Sequence, residues 1–135
     1  MDWTEPLDIL VTWTHTKGYI VEFVKQGDDA IYDDTKIIEI NLSNNKEKQF
    51  YRLVHECGHI LINDDNGIFG QKKSFNNLKK DTSAFKTARV IEEIEAWKRG
   101  FHLAKRLNLP IDECEWRSNM LKAIKKYIMW ASEIE

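Results

Sequence analysis

The sequence predicts an α+β fold in which a small antiparallel sheet is followed by a helix carrying an HExxH box and then by further helices. Three observations predict it. Short β-branched and aromatic segments bounded by Gly, Asp and Asn fill the first third of the chain. From Gln49 onward the apolar residues change to helical spacing. The 135 residues, 42% hydrophobic with five Trp, suffice for one core but not two, so one domain over 1–135 is expected.

Thr4-Glu5-Pro6 opens a short helix, with Pro6 suited to a first turn; the helix runs to about Thr16 and is broken by Gly18. Tyr19 to Val24 reads as a strand and Gln26-Gly27-Asp28-Asp29 as a turn. Ala30 to Asp33 and Lys36 to Leu42 read as two further strands around Asp33-Asp34-Thr35. Asn44 with Glu47 three residues on has the spacing of a capping box. In the helical run from Gln49 to Ile62, Phe50, Leu53, Val54, Cys57, Ile60 and Leu61 make one apolar stripe. Residues 63–83 lack periodicity, and a connection this long is either a lid bordering a cleft or plain disorder. A third helix spans about Ala84 to Leu107. After Pro110, Asp112 and Glu115 cap a last helix within 111–134, ending near Ser132. Its Leu121, Ile124, Ile128 and Ala131 are expected to pack inward, leaving Trp116, Met120, Tyr127 and Trp130 as aromatic surface, more often core than a docking face.

His55-Glu56-Cys57-Gly58-His59 carries the chemistry. Residues four apart on a helix share a face, so His55 and His59 can direct two imidazoles at one metal ion. Glu56 lies on the flank of that face, where it can take a proton from a metal-bound water. The apolar stripe falls roughly opposite the histidines, which turns them toward a cleft. Cys57 lies in the stripe and is expected to pack rather than ligate.

A catalytic zinc site usually has three protein ligands and an open position. The run Val90-Ile91-Glu92-Glu93-Ile94-Glu95-Ala96-Trp97 offers three glutamates. Val90, Ile94, Trp97, Phe101 and Ala104 form a seam that Glu93 flanks, while Glu92 and Glu95 are expected on the far side. Ala96 and Gly100 are small residues on the face of Glu93, where another helix can approach closely. Glu93 is therefore the expected third ligand, with Glu92 or Glu95 next.

These elements together resemble the ImmA/IrrE family of metallo-endopeptidases. The segments Gly18-Tyr19-Ile20-Val21, Ile37-Ile38-Glu39-Ile40-Asn41-Leu42 and Leu53 to Leu61 are followed by Glu93-Ile94-Glu95-Ala96, which is similar to that family's E-x-E-A element. The resemblance covers roughly 16–107. It implies a zincin-like minimal metallopeptidase core, Zn2+ held by His55, His59 and Glu93, and hydrolysis of a protein substrate, a regulatory protein among the candidates. Where the family often has an acidic residue after the E-x-E-A alanine, this chain has Trp97, so a backbone carbonyl or Glu92 must orient a ligand histidine. The absence of an obvious extra domain implies a minimal catalytic unit of the kind that phages and other mobile elements carry.

A formal net charge of −2 gives no reason to expect nucleic-acid or membrane binding. Lys72, Lys73, Lys79 and Lys80, and Lys122, Lys125 and Lys126, read as solvated surface. Cys57 and Cys114 make no disulfide framework, and no apolar N-terminal or spanning run is present, so a cytoplasmic protein is expected. Tyr51, His15 and His102 are the candidate donors to a developing oxyanion, none of them compelling. Zinc is the default ion, although manganese or iron suits the same ligands. A peptide deformylase would need a cysteine ligand before the box, and none precedes Cys57. A catalytically silent, zinc-stabilised interaction module is the remaining alternative, disfavoured by the presence of Glu56.

Overall fold

The computed structural model describes residues 1–65, 78–80 and 82–133, so most of the expected lid or connector at 63–83 lies outside the described residues. The elements are α1 (Thr4–Thr16), β1 (Ile20–Val24), β2 (Ala30–Tyr32), β3 (Ile37–Asn41), α2 (Lys46–Asn63), α3 (Ser83–Arg106) and α4 (Glu113–Ser132). The architecture is α+β, as the change of hydrophobic period predicts. No described helix is long and apolar enough to cross a membrane.

Gly18, at φ +85°, takes the left-handed conformation that turns α1 into β1. The sheet corrects the antiparallel expectation. Its order is β1-β3-β2, with β1 parallel to β3 and β2 antiparallel to it. The β2 segment is laid outside β3 instead of folding back on β1. The central position therefore falls to β3, whose Ile38 and Ile40 are fully buried. Alternation marks a strand but says nothing of its partner's direction. A second correction is the cap of α2: the side chain of Asn45, not Asn44, accepts a hydrogen bond from the Lys48 amide at 2.9 Å.

The apolar stripe of α2 forms the centre of the core. Phe50, Leu53, Val54, Cys57 and Ile60 are fully buried beside Leu7 and Leu10 of α1, with Leu61 half-buried. On its other side α2 crosses α3 at backbone contact. A Cβ on Gly58 would overlap the Ala96 carbonyl, and one on Gly100 would lie 2.5 Å from the Val54 carbonyl oxygen. The small residues read beside Glu93 thus do permit close approach. The expected seam of α3 is rotated, however. Val90, Ile94 and Phe101 are only half-buried, while Glu92, Glu93, Ala96, Trp97, Gly100, Leu103 and Ala104 are buried. Glu92 is therefore not on the far side.

The last helix is also rotated relative to expectation. Ile124 is buried as expected, but Leu121 and Ile128 are exposed, whereas Trp116 is buried, and Met120, Tyr127 and Trp130 are half-buried. The Trp116 ring fills the space between Trp97 and Tyr51, and its indole N–H donates to the Trp97 carbonyl at 3.2 Å. At the far end Lys86 of α3 is buried, donating to the Glu133 carbonyl at 2.9 Å and the Trp130 carbonyl at 3.4 Å. A cation at a helix C-terminus satisfies carbonyls that have no partner within the helix.

Replacing Gly58 with Ala tests the crossing. Intrinsic propensity favours Ala by about 1 kcal/mol, but its methyl would meet backbone, and overpacking of this kind costs about 1–3 kcal/mol or more. Thermal unfolding should show Gly58→Ala less stable than the parent; an equal or higher midpoint would mean that the two helices separate freely.

Candidate metal centre

His55 and His59 project from α2 and Glu93 from α3, and the crossing brings them together. Glu93 Oε2 lies 2.9 Å from His55 Nε2 and 3.1 Å from His59 Nε2. One donor atom from each of the three residues falls within 4.8 Å of the others. An ion with tetrahedral bonds of about 2.0–2.2 Å holds its donors roughly 3.4 Å apart. The two Glu93 contacts lie about 0.3–0.5 Å short of that spacing. The donor set is chemically suited to a divalent transition metal.

The surroundings fix each ligand. His55 stacks on Trp97, ring centroids 4.4 Å apart and planes 18° from parallel. His59 Nδ1 lies 3.5 Å from Glu92 Oε1. Glu92 thus takes the position from which a carboxylate orients a ligand imidazole, leaving Nε2 for the ion. The aromatic at 97 contributes by stacking instead. Arg89, one turn before Glu93, sets its guanidinium 3.5 Å from Glu93 Oε1 and 3.6 Å from Glu92 Oε2. Glu95 is directed elsewhere, pairing with Arg99 at 2.7 Å.

Electrostatics follow from this clustering. Burial opposes ionisation of Glu93, but the His55 and His59 imidazoles overcome it and hold the carboxyl well below the usual carboxylate range. Burial likewise disfavours a charged His59, but Glu92 and then Glu93 overcome it and push its pKa up to about 10. Burial and the charge of Glu93 push the Tyr127 phenol up to about 12, with Arg89 partly offsetting them. Burial raises the Cys57 thiol well above its ordinary value, in keeping with a packing role. Perturbed groups gathered at one cleft are a recognised mark of a functional site.

The cleft itself has a volume of about 1220 Å³ and is lined by His55, Glu56, His59, Arg89, Glu93 and Trp97, with β2 and α4 forming further walls. Glu56 is largely buried, its Oε1 3.6 Å from His55 Nδ1, beyond ordinary hydrogen-bond distance. The predicted HExxH histidines, base and third ligand are thus brought to one place. The three predicted oxyanion donors are not. Tyr51 sits among Trp3, Phe50 and Trp116, its hydroxyl accepting from the Asp112 amide at 3.4 Å. His15 and His102 are exposed and do not line the cleft. Arg89 and Tyr127 stand there instead. Arg89 was legible as the residue one turn before Glu93, whereas the phase assigned to the last helix turned Tyr127 outward.

The chain matches no protein-family model, no curated protein and no solved structure.

In the metal-free protein, His59 and the carboxylates stabilise one another. The raised His59 contributes stability that is complete below pH 6.5, its ordinary value, and is lost as pH rises through about 10. The lowered Glu93 contributes stability that is present above pH 4.5 and is lost as pH falls toward its depressed value. An incoming ion must displace the proton on His59 Nε2, so metal affinity should rise with pH between about 6.5 and 10. Calorimetry in buffers of different ionisation enthalpy should read about one proton or more released per ion near pH 8; no release would place the ion elsewhere.

Proposed function

We propose that the protein is a zinc-dependent endopeptidase, with His55, His59 and Glu93 holding the ion and Glu56 acting as general base. The observation that carries this reading is the convergence of two helices on one cleft: a His pair and an adjacent glutamate from α2, and a buried carboxylate from α3. Two imidazoles and one carboxylate suit zinc by default, although manganese and iron take the same set. The resemblance of the HExxH and E-x-E-A elements to ImmA/IrrE metallo-endopeptidases supports the same activity and a regulatory protein as substrate.

When bound, zinc supplies Lewis acidity toward the scissile carbonyl and acidifies water at neutral pH. Glu56, on the cleft wall, accepts the proton of the attacking water and returns it to the leaving amine. The Glu92 carboxylate, 3.5 Å from His59 Nδ1, favours a proton on that nitrogen and so biases the tautomer. Trp97 holds the plane of His55 and keeps water from that side. Arg89 and the Tyr127 hydroxyl, both lining the cleft beside Glu93, are the donors available to the oxygen that gains charge.

Glu56→Gln should keep one ion per chain by plasma mass spectrometry while hydrolysis of an unfolded protein falls about 100-fold or more. Hydrolysis at the parental rate in that variant would overturn the assignment of the base. Tyr127→Phe, which keeps the ring, should lower kcat by about 100-fold with metal content and KM little changed. An unaltered kcat would leave Arg89 as the donor.

A further inference from the structure

The cleft is unlike the rest of the molecule in charge. The chain as a whole carries a formal net charge of −2, yet Lys48, Arg52, Arg89, Lys122, Lys125 and Lys126 all line this one concavity. The two arginines are committed: Arg89 to Glu92 and Glu93, Arg52 to Asp29 at 3.6 Å. The four lysines are exposed, and none makes an ion pair with another described residue. The acidic side is different. Asp29 is held by Arg52 and the Asn41 amide, Glu93 by the imidazoles and Arg89, and Glu56 is buried. Among the described residues, Asp28 is the one acidic residue lining the cleft that is exposed.

We propose that the cleft selects polypeptide segments rich in Asp and Glu, an assignment of substrate class that rests on the endopeptidase reading. Lys122 and Lys126 stand one helical turn apart on α4, with Lys125 beside them, while Lys48 rises from the first turn of α2. Cations from two different elements therefore border the path that a segment must take to reach the metal centre. Ala123, Tyr127 and Trp130 interleave with the α4 lysines on the same wall. That alternation fits carboxylates flanking an apolar residue, each lysine reaching a carboxylate while apolar side chains lie against the aromatics. A nucleic-acid strand fits less well. Its phosphates recur at every nucleotide, whereas the α4 lysines alternate with Ala123, Tyr127 and Trp130.

The test uses the full-length Glu56→Gln protein, so that ligands survive, and fluorescence anisotropy with labelled short peptides. The peptides share their apolar residues and differ in carrying Glu, Gln or Lys between them; a DNA oligonucleotide carries the same label. The Glu peptide should bind roughly tenfold or more tightly than the Gln peptide, with the Lys peptide weakest. The advantage should shrink as salt rises from about 50 to about 500 mM. It should disappear when Lys122→Gln, Lys125→Gln and Lys126→Gln are combined, exposed changes whose effect on folding circular dichroism checks. Equal binding of the Glu and Gln peptides, an advantage that survives the triple substitution, or tighter binding of the oligonucleotide would each overturn the proposal. Hydrolysis of unfolded proteins by the parent enzyme is read separately. Hydrolysis with no acidic preference overturns the substrate class alone; acidic binding with no hydrolysis overturns the endopeptidase reading and this assignment with it.

Discussion

The α2–α3 crossing sets the geometry on which the remainder of the site is built. Gly58 leaves room for the Ala96 carbonyl, and Gly100 for that of Val54. Larger side chains at these two positions would push the helices apart and carry Glu93 away from the two imidazoles. Here the backbones touch, and the Glu93 carboxylate arrives with 1% of its surface exposed. A buried carboxylate without partners is strongly unfavourable. The imidazoles supply the compensation, which is why Glu93 stays ionised and His59 stays protonated in the metal-free protein. A bound cation does the same work as the His59 proton. Folding of the helix pair and occupancy of the centre are therefore coupled through one carboxylate.

Around that carboxylate, the contacts spread over three helices. Glu92 and Arg89 belong to α3, Trp97 stacks from α3 onto a ligand of α2, and Tyr127 comes from α4. The last helix is not an appendage. Trp116 seats its beginning against Trp97 and Tyr51, and buried Lys86 holds its end through the Trp130 and Glu133 carbonyls. Pinned at both ends, α4 presents Tyr127 and its lysines to the cleft as a wall.

The parts of the fold legible in the sequence are those with one dominant period or one local chemical signal. The HExxH spacing placed two imidazoles on one face, and Ala96 and Gly100 marked the contact that brings Glu93 to them. Asp112 capped the last helix as its side chain suggested. What failed shares a physical cause. Helix α3 buries acidic residues because partners on α2 receive them, so a reading that turns Glu92 away from the apolar seam misplaces it. Helix α4 is amphipathic in two registers, aliphatic and aromatic. Ile124 packs inward as its spacing suggested, but Trp116 is buried with it because a large ring fills the gap beside Trp97. Strand direction was illegible because alternation is the same in parallel and antiparallel pairs.

The number of ligands bears on whether such a centre serves structure or chemistry. Structural zinc sites are closed, with four protein donors, whereas catalytic ones keep a position open. Among the described residues the metal-ligating side chains that converge are three. They border a cleft large enough for a polypeptide segment, and the side chains next to it are a carboxylate, a guanidinium and a phenol rather than a fourth ligand. Arg89 in particular would weaken cation binding by its charge, a cost that a purely structural site would gain by shedding. On the endopeptidase reading, its place beside Glu93 would set a fixed cation near the oxygen that gains charge, lowering the barrier without rearrangement. The same balance explains why the acidic groups are embedded and the lysines exposed. On the proposed reading, carboxylates fixed in the floor would hold a cation, and exposed lysines at the wall would receive an anionic chain.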